Sequence, residues 1–281
     1  MQTADKIERL PISEQGEPGR ARRLVRFVWQ SWKLNLAGAM EFRLSFSLSV
    51  GTMMINNIVW IVFWGMYFQR FPVLNGWELR DVAMLWAVAA GGFGLMLSLF
   101  GNATRLANLI ATGQLDVYLA QPKPVLLHVL ISRMSVSAIG DFLFALLVFA
   151  AFGDLSILGI VKFALSLVLS TLIFIFFSVI SGSLAFWIGN SEGLNIQLIN
   201  ALLTFATYPT GIFRGFGKIV LFTVIPAGFI SFMPIGLLKE TDWTFLAGAA
   251  GMAALLCIAG ISVFHLGLRR YTSGNRIGLR S

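Results

Sequence analysis

The chain has 281 residues, 57% of them hydrophobic and only 12% charged, with a mean hydropathy of +0.80. A soluble domain carries about 25% charged residues, so there is too little polar surface here to coat a water-soluble globule, and the chain reads as an integral membrane protein. The formal net charge of +8, from 21 Lys and Arg against 13 Asp and Glu, is then assigned to cytoplasmic loops facing anionic lipid rather than to nucleic-acid binding.

In chain order, residues 1–19 form a polar extension without the apolar run of a cleavable signal peptide, and 20–281 read as a single transmembrane domain. The stretch 20–37 (RARRLVRFVWQSWKLNLA) is amphipathic: Arg22, Arg26, Gln30 and Lys33 share one helical face, while Leu24, Val28, Trp32 and Leu36 share another. It reads either as a helix lying in the cytoplasmic interface or as a plain lipid anchor. Six apolar segments follow, each near the ~20 residues a bilayer demands, at about 44–68, 82–101, 134–152, 160–188, 195–213 and 244–266. The expected fold is therefore an all-α integral membrane protein with six transmembrane helices.

With six spans and the N-terminus inside, fifteen of the 21 basic residues fall on the cytoplasmic side, including Arg269, Arg270, Arg276 and Arg280 of the tail. Both termini are then cytoplasmic. A seventh apolar run, 219–238, would place that tail outside if it spanned, and Pro226 and Pro234 interrupt it. A re-entrant pair of short helices, its broken backbone covered by protein, accounts for both facts. Trp64, Trp77, Trp86 and Trp243 fall near the outer boundary and Trp187 near the inner one, the placement of an aromatic belt.

Signs of chemistry are sparse. A phosphate-binding loop needs glycines, then Lys and Ser or Thr at fixed spacing. The nearest stretch, Gly211 to Ile219, is one residue too long and ends in an apolar side chain. The chain is thus not expected to hydrolyse ATP or to be an enzyme. His128, His265 and Cys257 form no metal-binding pattern, so no metal site is expected. Small residues four apart recur at Ala87/Gly91, Ala90/Gly94, Ser178/Gly182 and Ala247/Gly251, where helices can approach closely.

Asp141 is the sharpest single residue, an intramembrane carboxylate about two turns into the third segment, where ionisation costs about 3 kcal/mol or more. It reads as a contact for a cationic substrate, as a proton site, or as a structural carboxylate bonded to a neighbouring helix. Asn56 and Asn57 in the first segment, and Asn195, Gln197 and Asn200 in the fifth, line a polar path or make interhelical hydrogen bonds. A self-contained proton-coupled secondary transporter using Asp141 is the alternative function. A membrane anchor or assembly factor is a third reading. Of the connections, 102–133 is the most informative: Leu106, Leu109 and Ile110 recur at helical spacing, Gly113 ends that helix, Asp116 caps the next turn, and Pro122 and Pro124 stiffen the return. Such a segment either transmits force from a cytoplasmic partner or is a well-packed loop.

The stretch LIATGQLDVYLAQPKP (109–124) resembles the cytoplasmic coupling motif of permeases of the ABC-2 exporter superfamily, within the branch of small six-span bacterial "ABC-2 family transporter" proteins. FWIGNSEGLN (186–195), YPTGIF (208–213), IPAGFISFMPIGLL (225–238) and LGLRRYTSGN (266–275) resemble that branch in the same order, and the similarity covers about 22–275. The resemblance implies an N-terminal connecting helix at 20–37, a coupling helix at about 103–120, and a re-entrant helix pair before the last span. It implies a bacterial inner-membrane exporter driven by a dimeric ATP-binding subunit that holds the ATP and Mg. A second related permease completes the core, as a heterodimer in most relatives or as a homodimer. Carried onto this chain, Arg105, Leu109, Gly113, Asp116, Pro122 and Glu192 fall at the ATPase-coupling face, and Pro209, Pro226 and Pro234 in the outer half. The substrate path would run along spans one, two and five, with Asn56, Asn57, Phe93, Asp141, Asn200 and Phe205 as its candidate residues. Gln114 and Gln121 stand where relatives carry an acidic and a basic residue.

Overall fold

The computed structural model describes residues 19–272; residues 1–18 of the polar extension, and the tail residues Arg276 and Arg280 used for sidedness, lie outside the described residues. Among these the chain is all helical, with no strand. It runs α1 (Arg20–Ala39), α2 (Arg43–Arg70), α3 (Leu79–Leu99), a 3-10 turn at Ala103–Arg105, α4 (Leu106–Ala111), α5 (Asp116–Leu119), α6 (Val125–Ile131), α7 (Ser137–Phe152), α8 (Ile157–Ser183), α9 (Ala185–Ile188), α10 (Glu192–Ala206), α11 (Phe216–Thr223), α12 (Ala227–Ser231), a π-helical turn at Pro234–Lys239, and α13 (Trp243–Leu268). All six apolar segments fold as helices. Four are long and apolar enough to cross a membrane: α2, α3, α13 and the 32 residues of α8 continued by α9. The other two are shorter, 16 residues for α7 and 15 for α10.

The core is built around α3, which is buried from Asp81 to Gly92. It packs against α7 and α8, α2 packs on α7, and α13 packs on α8. Small residues set these distances. A Cβ on Gly91 would lie 2.7 Å from Ala145 Cβ, and one on Gly94 would lie 2.8 Å from the Ala138 carbonyl and from Asp141 Cβ. Gly140 meets the α2 backbone at Val50 in the same way. Three of the four small-residue pairs thus mark real close approaches; Gly251 faces open space. The outer faces of α2 and α13 remain bare, with Leu48, Ile55, Val59 and Met66, and Leu255, Ile258 and Leu266, all exposed. Apolar faces of this kind need lipid or another apolar helix to cover them.

The helices leave two ends. At one lie α1, the start of α2, the segment 100–136 and the last turn of α13; at the other lie 71–78 and the starts of α3, α8 and α13. The apolar run 219–238 is broken as its prolines require: Pro226 precedes α12 and Pro234 opens the π-helical turn. Three short pieces result rather than two. The segment leaves from the 71–78 end, where Asn75 donates to the Gly211 carbonyl (3.3 Å). It comes back to that same end, where Lys239 reaches Asp81 at 3.3 Å and Lys162 donates to Thr241. Between these points α12 and the π-helical turn are covered by α3, α8, α10 and α13, so the irregular backbone there is enclosed by protein, whereas α11 packs on α12 and leaves Phe216 and Ile219 exposed.

Candidate functional site

The α1 end is held by hydrogen bonds between residues far apart in sequence. The 3-10 turn and α4 lie on α8 with Leu106, Leu109 and Ile110 buried, and a Cβ on Gly182 would come within 2.9 Å of Leu106 Cβ. Asn195 of α10, fully buried, accepts from the Ser181 hydroxyl (2.6 Å) and donates to the Thr104 carbonyl (2.8 Å). One turn earlier, Asn108 of α4 donates to the Glu192 carboxylate at 2.8 Å. Arg105 is exposed beside this tie. The segment 103–120 is therefore not one helix but three short pieces. Gly113, with φ at +75°, breaks it in the left-handed conformation that glycine adopts without strain. Asp116 does not cap the next turn: it begins α5, whose N-cap is Leu115. It lies instead beside Tyr271, where burial, and then the Asp116 carboxylate, push the tyrosine hydroxyl above its ordinary range.

Helix α1 is fastened to the same platform. Trp32 Nε1 donates to the Leu99 carbonyl (2.8 Å), and Asn35 Nδ2 donates to the Ile131 carbonyl of α6 (2.9 Å). Phe27 meets His128 edge-on at 5.3 Å between ring centres and carries the Lys123 ammonium 4.0 Å above its ring. Burial, with Lys123 adding to it, holds the His128 imidazole below its usual value. Pro122 is exposed at the rim of a groove that Arg23, Phe27 and Lys123 also line.

The second cluster lies between α2, α3, α7 and α10. Asp141 is 3% exposed, and its Oδ1 accepts from Asn57 Nδ2 at 2.6 Å, while its Oδ2 is buried without a partner. Asp141 stands only about one turn into α7, not two. Its partner Asn57 is nevertheless near the middle of α2, because α7 begins beside the last turn of α3, where the Ser135 amide donates to the Leu97 carbonyl, and Gly140 meets α2 at Val50, already two turns into that helix. The two residues form part of the wall of a cavity of about 340 Å3, with Asn56, Trp60, Trp86, Phe93, Thr204 and Tyr208 also in the wall. A second cavity of about 480 Å3 shares Trp60, Trp86 and Tyr208 with it and extends past Trp64 and Tyr67 to Arg214. Together they make a groove lined with aromatic rings.

Asn56, Asn57, Phe93 and Asp141 are thus brought together, while Asn200 and Phe205 are not among the cavity's lining residues. Asn200 is exposed elsewhere on α10, and Phe205 packs edge-on against Phe213 at 5.6 Å. Pro209 and Pro226 are buried at the breaks that precede the 3-10 turn Thr210–Ile212 and α12, respectively. Trp64, Trp77 and Trp86 are not belt residues. They are 6%, 3% and 9% exposed and face protein, and Trp60 stacks on Trp86 at 5.3 Å. Trp243 and Trp187 remain exposed. Sequence reasoning missed the roles of Trp60, Tyr208 and Asn108. Asn195 proves to be an interhelical tie, not a path residue.

A family model described as ABC-2 family transporter protein matches residues 54–275, which leaves α1 and the first part of α2 outside the match. No curated protein and no solved structure matches the chain. The match spans most of the chain, including the platform, the cavity and the broken segment before α13, and the chain belongs to the ABC-2 family of transporter proteins.

Proposed function

We propose that this chain is one of two permease subunits of an ATP-driven exporter in a bacterial inner membrane. Proteins of the family are membrane permeases of ABC transporters and work with ATP-binding subunits. In the proposed arrangement α2, α3, α7, α8, α10 and α13 are the six spans, and 216–239 is a re-entrant segment on the outer side. The α1 end, including both termini, then faces the cytoplasm, with residues 20–281 forming one permease domain. The bare apolar face of α2 is covered by a second, related permease and by lipid. ATP and Mg are held by a dimeric ATPase subunit that docks on the platform through Arg105, Leu109, Gly113, Asp116, Pro122 and Glu192.

The observation that carries this reading is the pair of ties from Asn195 and from Asn108–Glu192. They join the 103–111 segment to α8 and α10, so a push on that segment is delivered to spans rather than absorbed in a loop. The substrate path then follows the aromatic groove between α2, α3 and α10. A proton-driven carrier using Asp141 would instead transport with no ATPase present.

The reading is tested by purifying the tagged chain from its host in mild detergent. We expect an ATP-binding protein and a second permease to co-purify, and Gly113→Val or Asp116→Ala to reduce both ATPase association and ATP-dependent flux in reconstituted vesicles. The Gly113→Val effects should be the larger, about tenfold, because a β-branched residue is strained at the φ of +75° that glycine adopts freely there. Unchanged association and flux in both variants, or flux without any ATPase, would overturn the proposal.

A further inference from the structure

A carboxylate buried inside a membrane layer is costly unless something compensates it. The Asn57 amide satisfies one oxygen of Asp141, and the other is buried with no donor at all. The surrounding wall supplies no compensating positive charge: no Lys or Arg lines the inner cavity, and its largest side chains are Trp60, Trp86, Phe93 and Tyr208. Aromatic faces carry partial negative charge and attract cations, the more so where water is excluded. One acid, several rings and no base in about 340 Å3, within the size range of small-molecule sites, make a chemically selective chamber.

The geometry points to a binding site for a lipophilic organic cation, with its charged centre between Asp141 and the Trp60–Trp86 stack and its apolar body in the aromatic groove. This inference rests on the permease reading and gives the proposed path a substrate class. A neutral apolar molecule would leave Asp141 uncompensated, and an anion would face repulsion from it. Asn57 is a positioning residue, since its hydrogen bond fixes the carboxylate against the wall.

The test uses the purified permease–ATPase complex in detergent, with tetraphenylphosphonium as the cationic probe and triphenylphosphine oxide as a neutral probe of similar shape. Binding is read from quenching of tryptophan fluorescence and by equilibrium dialysis. We expect the cation to bind the wild-type complex, and Asp141→Asn to weaken it by about tenfold or more while changing the neutral probe little. Trp60→Leu should weaken the cation severalfold, and it keeps the test open if Asp141→Asn misfolds. Failure of the wild type to bind the cation, equal loss of both probes in Asp141→Asn, or unchanged cation affinity in both variants would overturn the assignment. If no ATPase co-purifies, the permease reading fails, and the same two probes applied to the chain alone still decide the chemistry of the cavity.

Discussion

The two ends of the molecule are stabilised by different means. At the 71–78 end each long helix starts with a side-chain cap taken from its own neighbourhood. Glu78 and Asp81 form a capping box on α3, Ser156 accepts from Gly159 at α8, and Asp242 accepts from Thr244 and Phe245 at α13. At the α1 end none of α1, α2, α7 or α10 has a side-chain cap. Its order comes from bonds that link distant segments: Trp32 to Leu99, Asn35 to Ile131, Asn102 to Val129, Asn195 to Thr104. The charges divide in the same way. Lys239 pairs with Asp81 at the capped end, whereas Arg22, Arg26, Lys33, Arg43, Arg105 and Arg133 crowd the α1 end with few acids near them. A locally capped end keeps its helices in place one by one. An end cross-linked between segments can shift as a body without uncapping any helix, which is what the proposed coupling to an ATPase requires of it.

That difference breaks most readily at Asn195. Asn195→Ala removes the acceptor of Ser181 and the donor of the Thr104 carbonyl from a fully buried site, at about 1–3 kcal/mol for each buried group left unpaired. We expect a loss of about 2–3 kcal/mol, seen as a lower melting temperature in detergent, together with uncoupling of ATP hydrolysis from transport. Gln197→Ala, exposed on the same helix, should stay within about 0.5 kcal/mol of the wild type. Equal effects from the two substitutions would remove the distinction between a cross-linked end and an ordinary helix surface.

At the capped end the expected effects are smaller and separable. Asp81→Ala loses both the capping box and the contact to Lys239, and should cost about 1–2 kcal/mol. Lys239→Ala loses only an ion pair whose basic partner is half exposed, and should cost less than about 1 kcal/mol. Neither should alter ATPase coupling, because the π-helical turn they join lies away from the platform. A coupling defect in Lys239→Ala would show that the two ends are mechanically linked through 234–239.

This contrast also explains what was legible in the sequence. The helices were readable from apolar runs, and Gly113, Pro226 and Pro234 marked backbone breaks because glycine reaches positive φ freely while proline fixes φ and lacks a donor. The single coupling helix at about 103–120 was implied by the family resemblance, whereas the residues themselves read as a helix ended by Gly113, and the break at Gly113 is what the structure has. Trp64, Trp77 and Trp86 were misplaced for a different reason. Hydropathy gives the depth of a residue but not which way it faces, and each of these rings turns inward. Asn57 and Asp141 are 84 residues apart, as are Asn108 and Glu192. Nothing local links either pair, so the cavity and the platform appear only once the helices are packed.

The finest test of the capped end is its acid response, and Asp242 is the residue that reports it. The Thr244 hydroxyl, with the Phe245 and Thr244 amides, donates to its carboxylate and holds it below the ordinary 3.8. The folded state therefore binds the proton less readily than the unfolded chain. The contribution of the cap is complete above about pH 4 and is lost as the pH falls through the lowered folded value. Asp154, held low by the Ser156 amide and hydroxyl, acts in the same direction at the turn before α8. Melting temperature should thus fall on going from pH 7 to pH 3, and Asp242→Asn should remove part of that fall while changing little at pH 7, since asparagine is also a good N-cap. Among the described residues the α1 end has no carboxylate cap to protonate, so labelling rates of cysteines placed at the buried residues 106 and 109 should not follow the Asp242-dependent transition. If they do, acid loosens both ends together, and the capped end is not an independent unit of stability.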